Sequence, residues 1–193
     1  MRRLTLVTGG VRSGKSSFAQ GLARAHVGPV AFVATARATD LEFARRIARH
    51  QRERPAGWTT IEEPLDLTGA VRTGWDQASC VLVDDLTLWT SHRLLATAAD
   101  PKQTDWHDRV EELEQRLRVE IRSIHSEMPK DGQLVLVSQE TGWGVVPPYP
   151  LGRAFRDLLG RVNQEVAARA DNVYLVVAGL AVDIKQLAKA WPE

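Results

Sequence analysis

Three groups of residues in this 193-residue chain have types and spacings that could do chemistry. The first is Thr8-Gly9-Gly10-Val11-Arg12-Ser13-Gly14-Lys15-Ser16. Within it Gly9, Gly14, Lys15 and Ser16 complete the G-x-x-x-x-G-K-[ST] pattern of a phosphate-binding loop. A polyphosphate must be wrapped by backbone N–H groups, so glycines let the chain turn tightly and approach closely, and the following helix presents its positive end. Lys15 is suited to neutralise β- and γ-phosphate oxygens, and Ser16 to offer a hydroxyl to Mg2+. Gly9, Gly10, Val11, Arg12, Ser13, Gly14, Lys15 and Ser16 are therefore expected to bind a nucleoside triphosphate. The reaction itself is not fixed by the loop.

The second group is Asp84 and Asp85, which end the apolar run Cys80 to Val83 in the form of a Walker B element. Asp84 is expected across the sheet top from Ser16, holding Mg2+ directly or through water. The third is the stretch around His50, where Arg45, Arg46, Arg49, Arg52 and Arg54 crowd one face of a predicted helix. This face is either a solvated surface with Glu42 and Glu53 as partial partners, or a phosphate clamp, since Arg grips phosphate oxygens bidentately. His92 reads as a surface or interface histidine.

Elements that could position these residues follow from the apolar periodicity. Leu4 to Val7 reads as a strand running into the phosphate loop, and residues 17–23 as the helix after it. Val30 to Ala34 suits a buried parallel strand whose carboxyl end places Thr35 and Ala36 at a ligand crevice. A helix capped by Thr39 or Asp40 runs to Arg54, with Pro55 ending it. A short edge strand over Trp58 to Pro64 and a helix over Leu65 to Ala78 come next, then the acidic-tipped strand and a helix over Leu86 to Leu95. Trp106, Val110, Leu113, Leu117, Ile121 and Ile124 recur at helical steps, ahead of a strand over Leu134 to Val137. Another amphipathic helix starts at Leu151, the last strand is Val173 to Val177, and Gly179 turns the chain toward a short tail. This alternation predicts an α/β fold: a single P-loop NTPase-like domain over residues 1–193, with a mainly parallel, helix-covered sheet and right-handed crossovers. Between strand and helix, Ser138 to Pro150 is loop-like yet carries Trp143, Val145, Val146 and Tyr149. Such a loop is either a lid over something large and partly apolar or a face that packs on another subunit.

Composition bounds the function. A chain 44% hydrophobic and 25% charged has the make-up of a globular domain, and a net charge of +1 gives no whole-molecule signal for nucleic acid or membrane. Cys80 is the sole cysteine, which excludes an internal disulfide and reads as a buried, inert thiol. No secretory h-region follows the N-terminal arginines and no apolar run is long enough to span a bilayer, so the cytoplasm is the expected compartment.

Several stretches together resemble the bifunctional adenosylcobinamide kinase/adenosylcobinamide-phosphate guanylyltransferases of cobalamin biosynthesis. They are the phosphate loop, Val-Ala-Thr-Ala at 33–36, Arg-Ile-Ala-Arg-His-Gln-Arg-Glu-Arg-Pro at 46–55 with Trp58 and Glu62, Val-Asp-Asp-Leu-Thr-Leu-Trp at 83–89, Glu-Thr-Gly-Trp-Gly-Val-Val-Pro at 140–147, and Phe-Arg-Asp-Leu-Leu-Gly-Arg-Val-Asn-Gln at 155–164. The resemblance implies phosphorylation of adenosylcobinamide by ATP or GTP, with Lys15 and Mg2+ stabilising the transferring group and Ser16 and Asp84 on the metal. It implies next that His50 attacks the α-phosphorus of GTP and passes GMP to adenosylcobinamide phosphate, giving adenosylcobinamide-GDP. By the same resemblance Ala34, Thr35, Ala36, Gln51, Arg52, Glu53, Arg54, Glu62 and Asp84 contact the guanine nucleotide, the Trp143 loop covers the corrinoid, and the protein is a homo-oligomer, with a trimer as the family pattern. The chain departs from that pattern at Asp85, where the family usually has Cys, and at His92, where it usually has Asn; Asp85 leaves open which carboxylate meets the metal. Two other readings of the residues stand beside this one: a small-molecule kinase without guanylyl transfer, and a nucleotide-dependent switch protein.

Overall fold

A computed structural model describes residues 1–37, 45, 48, 51, 52 and 54–189. His50, Glu53, Arg46 and Arg49, and most of the helix expected before Arg54, lie outside the described residues.

Among the described residues, seven strands form one sheet in the order β3-β2-β4-β5-β1-β6-β7. They are β1 (Arg3–Gly9), β2 (Val30–Ala34), β3 (Thr59–Glu62), β4 (Cys80–Asp84), β5 (Gln133–Val137), β6 (Asn172–Val177) and β7 (Leu180–Asp183). The pairings from β3 to β6 are all parallel, and β7 alone among the described strands runs antiparallel, against β6. Central strands covered on both faces need apolar side chains on both, which is why β2 and β4 are near-continuous apolar runs rather than alternating ones.

The two faces divide the core. On one, α1 (Lys15–Arg24) lays Ala19 and Ala23 against Val7, Phe32, Leu82, Val135 and Val137. On the other, α2 (Leu67–Trp75), α3 (Leu86–Thr97), α4 (Trp106–Ser126) and α5 (Pro150–Arg169) cover Leu4, Leu6, Val33, Val83 and Leu136. The apolar stripe of α4, Leu113, Leu117, Ile121 and Ile124, is buried as its spacing predicts. Buried Trp89 and Trp106 each find an acceptor for the indole N–H, in the carbonyls of Leu65 at 3.0 Å and Ala98 at 2.9 Å.

The alternation of strand and helix gives the mainly parallel, helix-covered architecture expected. One element departs from expectation: the segment after Gly179, read as a turn and tail, forms β7 and then the one-turn helix α6 (Ile184–Leu187). Ala178 and Gly179 both have positive φ, 51° and 83°, as a two-residue hairpin turn requires. Ala-Gly is not the Asn-Gly or Asp-Gly that marks such a turn in sequence. What holds it is tertiary: the Gly179 N–H donates to the Ser13 carbonyl at 2.8 Å, so the hairpin tip braces the phosphate loop.

Candidate active site at the carboxyl end of the sheet

Parallel pairing brings the carboxyl ends of β1, β2, β4 and β5 to one edge, where an open α/β sheet binds its ligands. The loop after β1 occupies left-handed backbone at Arg12 (φ 56°) and Gly14 (φ 97°) before α1 begins. A Cβ on Gly9 would stand 2.3 Å from the Val176 carbonyl oxygen, so only glycine allows β1 to leave the sheet there. Lys15 is buried, its Nζ 3.4 Å from the Gly10 carbonyl, and Ser13 Oγ is buried with no hydrogen-bond partner among the described residues. A buried hydroxyl and a buried ammonium inside a curl of backbone fit an anion.

Ser16 and Asp84 are brought together: Ser16 Oγ donates to Asp84 Oδ1 at 3.3 Å. Among the described residues no group of three or more His, Cys, Asp or Glu side chains could hold a metal. One hydroxyl and one carboxylate beside a phosphate cradle match a hard cation that keeps waters and phosphate oxygens as its other ligands. Burial, then the neighbouring charge of Asp85, pushes the Asp84 carboxyl up to about 6, against opposing pulls from Ser16, Lys15 and Arg54. Burial likewise raises Asp85. Asp85 is occupied elsewhere, because its Oδ1 caps α3 by accepting from the Leu88 N–H at 2.8 Å and Gln139 also hydrogen-bonds it.

The small residues after β2 have a structural reason. Thr35 is fully buried; its hydroxyl donates to the Asp85 carbonyl at 2.7 Å and accepts from the Asp85 N–H at 2.9 Å. It fixes the backbone that carries both acids, while Ala34 is buried and Ala36 partly exposed beside it. His92, expected at the surface or an interface, is half buried on α3 toward the Thr35 and Pro64 carbonyls, and burial lowers its pKa. Cys80 is fully buried, its thiol pushed up to about 12 by burial.

A second cleft, about 380 Å3, lies beside β3 and is lined by Gln51, Arg54, Pro55, Ala56, Trp58, Thr60 and Glu62. Gln51 Nε2 donates to Glu62 Oε1 at 2.9 Å, and the Arg54 guanidinium lies 3.7 Å from the centre of the Phe32 ring. Arg54 Nε is buried without a hydrogen-bond partner among the described residues, and burial lowers its pKa against attraction from Asp84 and Glu62. Arg54 thus stands electrostatically between the two clefts. Arg52 is exposed, and His50 and Glu53 lie outside the described residues.

Sequence reasoning missed a network behind the phosphate loop. Ser138 Oγ donates to Asn163 Oδ1 at 2.6 Å, Asn163 Nδ2 donates to the Gln139 carbonyl at 3.0 Å and to Glu140 Oε1 at 3.3 Å, and Thr8 Oγ1 donates to Glu140 Oε1 at 2.9 Å. Thr8, Glu140 and Asn163 fall within stretches already singled out in the sequence, but nothing in their spacing shows that they meet. The loop beyond them leaves Trp143, Val145, Val146 and Tyr149 exposed.

A glycine-turned loop with its Lys and Ser at a helix start, an acidic strand tip against the Ser, and one strand between the two define a P-loop nucleotide-binding enzyme. The same fold is found at a TM-score of 0.54 and 11% identity in an ATPase of a bacterial type III secretion system, over 96% of this chain and 57% of that one. The family model for cobinamide kinase / cobinamide phosphate guanyltransferase matches residues 5–184, and the chain belongs to that family: it is a bifunctional transferase of cobalamin biosynthesis. It is 41% identical to a bifunctional adenosylcobalamin biosynthesis protein, CobP, of Pseudomonas aeruginosa, over 93% of this chain and 96% of the relative. It is 37% identical to the protein named CobU in Escherichia coli, over 94% and 99% respectively.

Proposed function

We propose that the chain phosphorylates adenosylcobinamide with ATP or GTP, then transfers GMP from GTP to the new phosphate through a guanylyl-His50 intermediate. The observation that carries the kinase half is the Ser16–Asp84 contact at the mouth of the loop that holds Lys15. In this reading the loop amides of Gly9 to Ser16 bind the triphosphate, and Lys15 leaves the Gly10 carbonyl for the β- and γ-phosphate oxygens. Ser16 and Asp84 would hold Mg2+, which when bound neutralises charge on the transferring phosphoryl group. The aminopropanol hydroxyl attacks the γ-phosphorus; its O–P bond forms as the bond to the β-phosphate oxygen breaks.

The guanylyl half is supported by family membership and by the arginines that flank His50 in sequence. Surrounding guanidinium groups disfavour imidazolium and attract the triphosphate, and both effects favour a neutral histidine nucleophile. His50 attacks the α-phosphorus, a P–N bond forms and pyrophosphate leaves; an oxygen of adenosylcobinamide phosphate then attacks, and the P–N bond breaks. The cleft at Gln51, Arg54 and Glu62 suits the guanine base, because a carboxylate can accept from both its N1–H and its 2-amino group. Glu62 now accepts from Gln51, a donor that guanine would replace. Arg52, Glu53, Ala34, Thr35 and Ala36 belong to the same proposed contact set. The Trp143 loop would cover the corrinoid, and a cytoplasmic homo-oligomer, a trimer by family pattern, is the assembly proposed.

The test supplies adenosylcobinamide, Mg2+ and ATP or GTP, and follows products by mass spectrometry. Adenosylcobinamide phosphate with either nucleotide, and adenosylcobinamide-GDP with GTP alone, is the expected outcome. Phosphate without any GDP product would leave only the kinase half of the reading standing.

A further inference from the structure

We propose that Glu140 is the general base of the kinase step, an assignment that rests on the function proposed above. β5 lies between β1, which leads into the phosphate loop, and β4, which ends in Asp84. Residues just past the end of β5 therefore face the gap between loop and acid, where the terminal phosphate must lie. The chain does not drift away there: the Ser138 N–H donates to the Val7 carbonyl at 2.9 Å, and the Glu140 N–H to the Gly9 carbonyl at 3.3 Å. Glu140 is thus tied by its backbone to the first glycine of the loop. Lys15 Nζ, the group that reaches β- and γ-phosphates, sits against the carbonyl of the next residue, Gly10. The tie therefore falls at the terminal-phosphate end of the cradle.

The carboxylate is held for use rather than sealed. Oε1 accepts from both Thr8 Oγ1 and Asn163 Nδ2, which fixes the group, and Oε2 has no hydrogen bond among the described residues. Asn163 is itself buried and pinned by Ser138, so the support is rigid. The neighbouring acids are engaged elsewhere: Asp84 accepts from Ser16, Asp85 caps α3, and Glu63 accepts the Leu65 and Asp66 amides. Glu140 itself remains partly exposed, as a group that meets a substrate must. In the step, Oε2 takes the proton of the attacking hydroxyl while the new O–P bond forms and the nucleoside diphosphate leaves with the electron pair of the broken bond.

Glu140→Gln keeps an oxygen for Thr8 and Asn163 but cannot take the proton. We expect kcat for cobinamide phosphorylation to fall on the order of 10²–10⁴-fold, with nucleotide KM and covalent labelling by α-labelled GTP unchanged. Glu140→Asp, which retains a carboxylate, should recover part of that loss. A Gln variant with a kinase rate within about threefold of wild type overturns the assignment. So does an equal loss of guanylylation, which marks a structural role, or an Asp variant no better than Gln. A wild-type protein that transfers no phosphate to cobinamide instead overturns the functional reading and, with it, any base for that step.

Discussion

Replacing Asp84 by Asn should stabilise the ligand-free protein while crippling phosphoryl transfer. Two adjoining acids sit at the tip of β4, and burial together with Asp85 raises the Asp84 pKa from 3.8 to about 6. A raised carboxyl pKa means that the native state binds the proton more tightly than the unfolded chain. Stability is then greatest below the unfolded value and is lost as pH rises through the folded one. At about 1.4 kcal/mol per pKa unit the full shift corresponds to roughly 3 kcal/mol; Asp84 keeps some solvent contact and shares its titration with Asp85, so about 1–2 kcal/mol is expected. Asn resembles the protonated acid in shape and still accepts from Ser16 Oγ. For a chain of this length that gain is worth roughly 2–4 °C in Tm per kcal/mol. Thermal melts with chelator and no nucleotide, from pH 4 to pH 8, should show the variant gaining on wild type between the two pKa values and levelling above them. A difference that is negative at pH 7.5, or flat across the range, refutes the electrostatic reasoning.

Gly9→Ala should abolish nucleotide binding in a fluorescent-nucleotide titration, because its Cβ would meet the Val176 carbonyl at 2.3 Å; near-native affinity would contradict the loop geometry. Lys15→Ala should lower phosphoryl transfer at least about 10²-fold with the fold intact by circular dichroism, and a full kinase rate would remove Lys15 from the chemistry. Thr35→Val, which deletes both hydrogen bonds to the Asp85 peptide, should cost about 1–3 kcal/mol in urea unfolding, and no change would mean that peptide is held otherwise. Glu165, buried on α5, takes hydrogen bonds from Arg122 and Arg118 of α4, with Arg169 also paired to it, and its pKa is lowered below the usual carboxylate range. Its stabilisation is present above the ordinary value near 4.5 and is lost as pH falls through the lowered one. Glu165→Gln should therefore cost about 1–3 kcal/mol at pH 7, with a penalty that shrinks as pH falls below the ordinary value, and a penalty that does not fall with pH would sink the ionic account.

What could be read from the sequence followed from local physics. The phosphate loop is legible because its glycines, Lys and Ser are set by backbone geometry over nine residues. The sheet's parallel core is legible because strands covered on both faces must be apolar throughout, as at β2 and β4. β7 was not legible: its residues are partly exposed, its turn lacks a strong turn dipeptide, and the bond that fixes it runs from Gly179 to Ser13, far away in sequence. The Glu140 network was hidden for the same reason, since Thr8, Ser138 and Asn163 meet only once three elements are assembled. Thr35 was legible as a small residue near a ligand, but its work on the Asp85 peptide depends on the β2–β4 register, with Ala34 opposite Asp84.

In the function proposed, one chain performs both phosphoryl and guanylyl transfer, the second through His50. Incubation with GTP labelled at the α-phosphate, followed by denaturation and peptide mapping, tests it directly. An acid-labile, base-stable label on His50, released as adenosylcobinamide-GDP when adenosylcobinamide phosphate is added and absent from His50→Ala, is the predicted result. A protein that binds GTP yet carries no label, or a His50→Ala variant that still makes the GDP product, contradicts it.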